Sequence, residues 1–257
     1  MLRSFSLRQG LTALALGLIA NTLAAEEPPA LDPQAVEILR EASAYLSDQP
    51  RVAVDWFVSY DEVIDGREKL TRLRSGTTLL DREQGFYSYV EAGPTLREFF
   101  FDGSVFSVFD PQNNAFARTE VEGTFEILVD RVQQEYGLAL PIWQVLSKRA
   151  EGELLSDATS AAYVGLTRVA GDEAHHLAFA NYEQDWQVWI STDADAPILL
   201  MLVGTDPYTQ GWPQFRAYFT GWDFAPEMKA EAFAFEPPED AEQMVWPRVG
   251  VTTGQQE

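Results

Sequence analysis

The sequence predicts an α+β, mostly β fold: a strongly curved antiparallel sheet with helices covering its concave face. Three observations carry that expectation. Short apolar runs with period-two alternation recur along most of the chain, separated by turn residues. Helical periodicity interrupts them in only two places, at 33–47 and 123–148. Long antiparallel sheets curl, and with so few helices a curved sheet plugged on its concave side is the simplest way to bury two apolar faces.

The chain opens with MLRSFSLRQGLTALALGLIANTLAAEE, in which Arg3 and Arg8 precede an apolar run and small residues. This reads as a secretory signal, residues 1–25, with cleavage after Ala24 or Ala25; the run is too short for a spanning helix. The arginines are not adjacent, which favours the general secretory route over the twin-arginine one. The chain has no cysteine, so a lipoprotein anchor and disulfides are excluded. The expected compartment is the periplasm, with no integral membrane segment once the signal is removed.

Composition narrows the classes further. With 46% hydrophobic residues the chain can bury a substantial core. Removing the leader takes two of 18 basic residues and none of the 40 acidic ones, leaving a net charge of about −24 (16 − 40). Such a chain repels phosphate backbones and anionic lipid surfaces, so nucleic acid is ruled out as a partner.

Residues 26–31 read as a linker, 32–247 as one domain and 248–257 as a flexible tail. Asp32 caps a helix with Pro33 at its first position, and Ala35, Ile38, Leu39, Ala42, Tyr45 and Leu46 form the apolar stripe. RVAVDWFVSY then alternates with Val52, Val54, Trp56 and Val58 on one face, and Asp65-Gly66 turns the chain into KLTRLRSGTTLLD. GFYSYVEAG is a further strand. After the hairpin discussed next, a short strand runs over 115–119. Phe125, Leu128, Val129, Val132 and Tyr136 mark a helix stopped by Gly137, and PIWQVLSK a short helix opened by Pro141. Strands return from 161 onward, with turns at Gly171-Asp172, Asp193–Pro197 and Asp206-Pro207. The count is about ten strands.

The most unusual stretch is REFFFDGSVFSVFDPQNNAF, residues 97–116. Asp102-Gly103 predicts a two-residue type I′ turn, which would pair Phe101 with Ser104, Phe100 with Val105 and Phe99 with Phe106. One face then carries Phe99, Phe101, Phe106 and Val108, the other Leu96, Phe100, Val105 and Phe109. A sheet with one wet face alternates apolar and polar; this hairpin does not, so something must cover its second face.

Catalytic signatures are missing: no nucleophile elbow, phosphate loop, dinucleotide fingerprint or zinc helix occurs. His175 and His176 are adjacent in a strand and leave opposite faces, so they cannot share a metal. Asp193 and Asp195 in TDADAP could touch calcium, although an Asx-capped turn is the simpler reading. A carboxylate pair for hydrolysis is singled out by no spacing among the 40 acids. The expectation is no cofactor, no metal and no enzyme activity.

Four segments in this order, DGSVFSVFDPQNNAFA, VAGDEAHHLAF, DWQVWISTDADAPILL and FAFEPPEDAE, resemble the bacterial predicted periplasmic proteins of the DUF2092 family. The resemblance spans residues 31–247. That family is related in fold to the lipoprotein carrier LolA, the receptor LolB and mycobacterial lipoprotein carriers. The resemblance implies a half-open β-barrel of about eleven antiparallel strands, with helices lidding an apolar cavity. By analogy it also implies carriage or sensing of a lipid, acyl chain or lipoprotein.

The aromatic surplus fits either a packed core or such a cavity. The expected lining is Phe99, Phe101, Phe106, Val108 and Trp56. Trp186 and Trp189 fall on opposite faces of one strand, and Trp189 is assigned to the cavity. A second expectation is an envelope protein-interaction or chaperone-like module whose acidic exterior meets basic partners.

Overall fold

The computed structural model describes residues 31–137 and 141–245. The signal segment, most of the linker, the C-terminal tail and Trp246 lie outside the described residues. Asp32 begins the fold as expected: its Oδ1 accepts from the Gln34 N–H at 2.9 Å, Pro33 occupies the first turn, and helix α1 runs Pro33–Asp48. Ala35, Leu39, Ala42 and Leu46 are its buried stripe, packed towards the strands spanning 160–191.

Six strands follow as a meander: β1 (Arg51–Ile64), β2 (Glu68–Asp81), β3 (Gly85–Ala92), β4 (Thr95–Phe101), β5 (Val105–Asp110) and β6 (Ala115–Glu120). Three helices interrupt it. They are α2 (Phe125–Tyr136), closed by Gly137 in the left-handed conformation, α3 (Pro141–Leu146) and α4 (Ala150–Leu155). The sequence pattern does not anticipate α4. The second meander is β7 (Ser160–Val169), β8 (Asp172–Ala180), β9 (Asp185–Ser191), β10 (Leu199–Thr205) and β11 (Gln214–Asp223).

With β12 (Glu242–Gln243) at its edge, pairing of β11 with β1 joins the halves into one open, curled sheet of order β12-β6-β5-β4-β3-β2-β1-β11-β10-β9-β8-β7. The edges, β12 and β7, do not meet. Strand β12 lies parallel to β6, and Leu31 makes a parallel bridge to Ala161 of β7; both depart from the antiparallel expectation.

Two turns differ from the sequence reading. Phe101 pairs with Phe106 and Phe99 with Val108, leaving a four-residue loop, Asp102–Val105. The register is therefore two residues away from the expected one. Asp102 does not adopt the positive φ that a type I′ turn needs. Its Oδ1 instead accepts from the N–H groups of Ser104 (2.9 Å) and Val105 (2.8 Å), while the Gly103 and Ser104 carbonyls accept from Gly123 and Val121. A two-residue shift preserves strand parity, so both face assignments survive. Farther on, the β7–β8 turn is Ala170-Gly171, one residue before the expected Gly171-Asp172, with both residues at positive φ.

Candidate functional site

The inner face of β1–β5 is built in rows of cross-strand neighbours. One row is Val52, Leu80, Phe86, Phe101 and Phe106, all fully buried. The next is Val54, Thr78, Ser88, Phe99 and Val108. In the third, Trp56 lies across Gly76, where an added Cβ would stand 2.6 Å from the indole and 2.1 Å from the Tyr89 carbonyl oxygen. Only glycine leaves room for that ring. The Trp56 Nε1–H donates to Thr78 Oγ1 at 3.0 Å, and Thr78 and Ser88 share a hydrogen bond of 3.0 Å, so the buried polar atoms of this face satisfy one another.

Phe99, Phe101, Phe106, Val108 and Trp56 thus share one surface, as the alternation predicts. Trp189 does not join it. In β9 the inward side chains are Trp186, Val188 and Ile190, and Trp186 stacks on Phe179 at 4.1 Å. Trp189 leaves by the opposite face and stacks on His176 at 4.3 Å. Parity allows one of the two tryptophans inside, and Trp186 is the one on the buried face with Leu177, Phe179, Val188 and Ile190. The histidines diverge as expected: His175 meets the Tyr163 hydroxyl (3.1 Å), His176 the Gln187 side chain (2.9 Å).

The roof over the phenylalanines is Trp143 of α3, whose ring lies 4.5 Å from Phe86, 5.4 Å from Phe99 and 6.2 Å from Phe106. Phe125 of α2 adds a contact to Phe86 at 5.1 Å. The helix is legible in the sequence, but its tryptophan is not assigned to the site there.

One side chain ties this roof to the sheet. Arg82, in the β2–β3 turn, donates from Nε to the Gln49 carbonyl (2.8 Å) and from Nη2 to the carbonyls of Leu46 (3.0 Å) and Leu146 (3.1 Å). It thereby caps the C-terminal ends of α1 and α3, where the Leu46 carbonyl also accepts from the Gln49 N–H at 3.4 Å. Its buried Nη1 faces Glu126 of α2 at 3.7 Å without a hydrogen bond. Burial pulls the Arg82 guanidinium below its ordinary value, opposed by Glu126 and Asp48. Burial pushes the Glu126 carboxyl up, but surrounding N–H groups, the Thr124 hydroxyl and Arg82 outweigh it and hold the group below the ordinary glutamate value. Nothing in the turn DREQG marks Arg82, because its partners lie 33 to 64 residues away.

The hairpin's outer face has its own cover. Phe235, in the arm following β11, sits 5.1 Å from Phe100, 5.2 Å from Phe109 and 5.6 Å from Phe116. Arg118 stacks over the Phe235 ring at 5.6 Å and donates to its carbonyl at 2.9 Å.

Among the described residues no group of three or more His, Asp or Glu is placed to hold a metal, and no helix is long and apolar enough to cross a membrane. Asp193 Oδ1 accepts from the Asp195 N–H at 3.0 Å, the geometry of an Asx turn.

Fold and site together define a half-open β-barrel with an aromatic concave face roofed by helices. The chain belongs to the DUF2092 family, described as predicted periplasmic proteins, whose model matches residues 35–245. No curated protein matches it. Among solved structures it is similar to LprF from Mycobacterium bovis, at 14% identity and a TM-score of 0.48, covering 82% of this chain and 99% of that one. It is also similar to the lipoprotein LppX of Mycobacterium tuberculosis, at 11% identity and a TM-score of 0.40, covering 77% and 100%. A LolA superfamily protein from Nitrosomonas europaea follows at 11% identity and a TM-score of 0.33, covering 78% and 97%.

Proposed function

We propose that this protein is a non-enzymatic periplasmic binding protein that carries or senses a hydrophobic ligand bearing an acyl chain. The observation that carries this reading is the construction of the roof. The concave face of β3–β5 is closed by Trp143 on a six-residue helix, held through Arg82, and not by another strand. Such a cover can withdraw without breaking the sheet.

The magnitudes favour exchange. Because an incoming acyl chain re-covers the phenylalanines, the exchange exposes chiefly Trp143, at about 3–5 kcal/mol, taking a single large-to-small core change as the measure. A chain of about ten methylenes, at roughly 0.8 kcal/mol each when buried, more than offsets that. The ligand would lie along Phe99, Phe101, Phe106, Val108 and Trp56, with Phe86 beneath it.

The test is binding of a fluorescent fatty-acyl probe. Wild-type protein binds it, and Phe99→Ser combined with Phe106→Ser loses most of that affinity. Because Phe106 is fully buried, the single change at half-buried Phe99 serves as the folded control and weakens binding less. A folded wild type that takes up no probe removes this reading.

A further inference from the structure

The end of the sheet where β1 finishes and β11 starts carries three neighbouring loops: β1–β2 at Asp65–Arg67, β10–β11 at Asp206–Pro213 and β8–β9 at Asn181–Gln184. The strand order β2-β1-β11-β10-β9-β8 sets them side by side. Lys69 Nζ of the hairpin donates to the Gly211 carbonyl at 3.4 Å, and Gln184 Oε1 lies 3.7 Å from where a Cβ on Gly204 would stand. On this rim stand Tyr182, Tyr208 and Trp212, 80%, 72% and 67% exposed, the three most exposed aromatic side chains among the described residues. Leu70 is exposed on the adjoining hairpin. Apolar residues scattered singly over a surface mean little, but a cluster on adjacent loops marks an interaction site.

The loop that presents two of them is tied together by its own hydrogen bonds. Asp206 accepts from the N–H groups of Tyr208 (2.8 Å) and Thr209 (3.0 Å) and from the Thr209 hydroxyl (2.6 Å). Trp212 has a positive φ of 48° and donates its N–H to the Thr209 carbonyl at 3.0 Å. Glycine or asparagine would adopt that backbone more cheaply than a bulky residue, yet the position holds an indole turned to solvent.

We propose that this rim docks on a lipid bilayer, with Tyr182, Tyr208 and Trp212 seated at headgroup level. Tyrosine and tryptophan pair an apolar ring with a polar atom, which suits them to the membrane–water boundary. The adjoining β1–β2 hairpin lowers the charge barrier beside these rings. The molecule is strongly acidic, but the hairpin sets Arg67, Lys69, Arg72 and Arg74 against Asp61, Glu62, Asp65 and Glu68. Lys69 and Arg216 pair with Asp61 at 3.3 and 3.4 Å, and Arg72 with Glu62 at 2.7 Å. The hairpin is therefore neutral where the rest of the chain repels a phosphate layer. Glu183, Asp185 and Asp206 stay on the rim as acids, so the fitting surface is zwitterionic and the aromatic rings provide the attraction.

This inference stands apart from the acyl pocket and is tested separately, by co-flotation of the leader-free chain with phosphatidylcholine vesicles. Wild-type protein floats with them. Combining Tyr182→Ser, Tyr208→Ser and Trp212→Ser lowers binding by about tenfold or more, because interfacial binding scales with buried apolar area. Raising the salt to about 1 M, where the Debye length is about 3 Å, leaves wild-type binding within about twofold. The triple variant binds the acyl probe as wild type does. A wild type that ignores vesicles, including one that binds a glycan or a protein instead, overturns the proposal. So do equal flotation of wild type and triple variant, loss of flotation in high salt, and joint loss of vesicle and acyl-probe binding, which would make the rim part of the cavity.

Discussion

The two faces of the β4–β5 hairpin differ in how they are covered. Inside, Phe101 and Phe106 are fully buried, and Phe99 and Phe106 pack beneath Trp143, which arrives on a short helix joined to the sheet through the polar grip of Arg82. Outside, Phe100 and Phe109 are half-buried beneath Phe235, whose arm continues into β12 and is knitted to β6 through Glu242 and Met244. One cover is a roof resting on the ends of helices, the other a strap built into the sheet edge. A hairpin apolar on both sides therefore says only that two covers exist; which one can open depends on how each is fastened.

Removing each cover in turn is the strongest way to break this comparison. Trp143→Ala, opening a fully packed aromatic cluster, should cost about 3–5 kcal/mol in denaturant unfolding and should raise acyl-probe affinity, since a competitor for the concave face is gone. Equal stability of the variant and wild type would mean that Trp143 is not the roof. Phe235→Ala, at a half-exposed contact, should cost about 1–2 kcal/mol and leave probe binding unchanged. If it altered probe binding instead, the strap and the roof would have to exchange roles.

A smaller effect sharpens the register of the hairpin on which both covers rest. Gly103 has φ +86°, and the nearest heavy atom to an added Cβ is the Gly123 carbonyl oxygen at 3.9 Å. Gly103→Val therefore meets backbone strain without a clash and should cost about 1 kcal/mol. An unchanged unfolding midpoint would place the turn elsewhere.

The smallest effect concerns the roof's fastening in acid. The native pKa of Glu126 lies below its ordinary value of 4.5. Its contribution to stability is thus complete above that value and is lost as the pH falls below it, through the native pKa. Wild-type protein should lose stability more steeply below pH 4.5 than the Glu126→Gln variant, in which this carboxyl cannot titrate. Superimposable acid profiles would show that the Arg82–Glu126 contact does not hold α2.

Much of the fold was legible because its signals are local. Asp32-Pro33 and Gly137 mark helix ends through groups within a few residues of each cap. Strand alternation assigns Phe99, Phe101, Phe106 and Val108 to one face even though the observed register lies two residues from the expected one, since parity depends only on the pleat. The same parity separates His175 from His176 and Trp186 from Trp189. What it cannot do is say which side is inside, and there the expectation for Trp189 failed.

The sequence by itself determined the alternating strands, the capped helices, the absence of cysteine and the two-sided apolar hairpin. Tertiary structure alone decided that Asp102 would capture Ser104 and Val105 in a longer loop, that β12 would run parallel to β6, that Trp186 would face inward, and that Arg82, Trp143 and Phe235 would hold and cover the site. The physical reason is range. Pleat and caps are set by neighbours along the backbone, whereas the covers and the Arg82 grip join groups tens to more than a hundred residues apart, whose meeting depends on how the whole sheet curls.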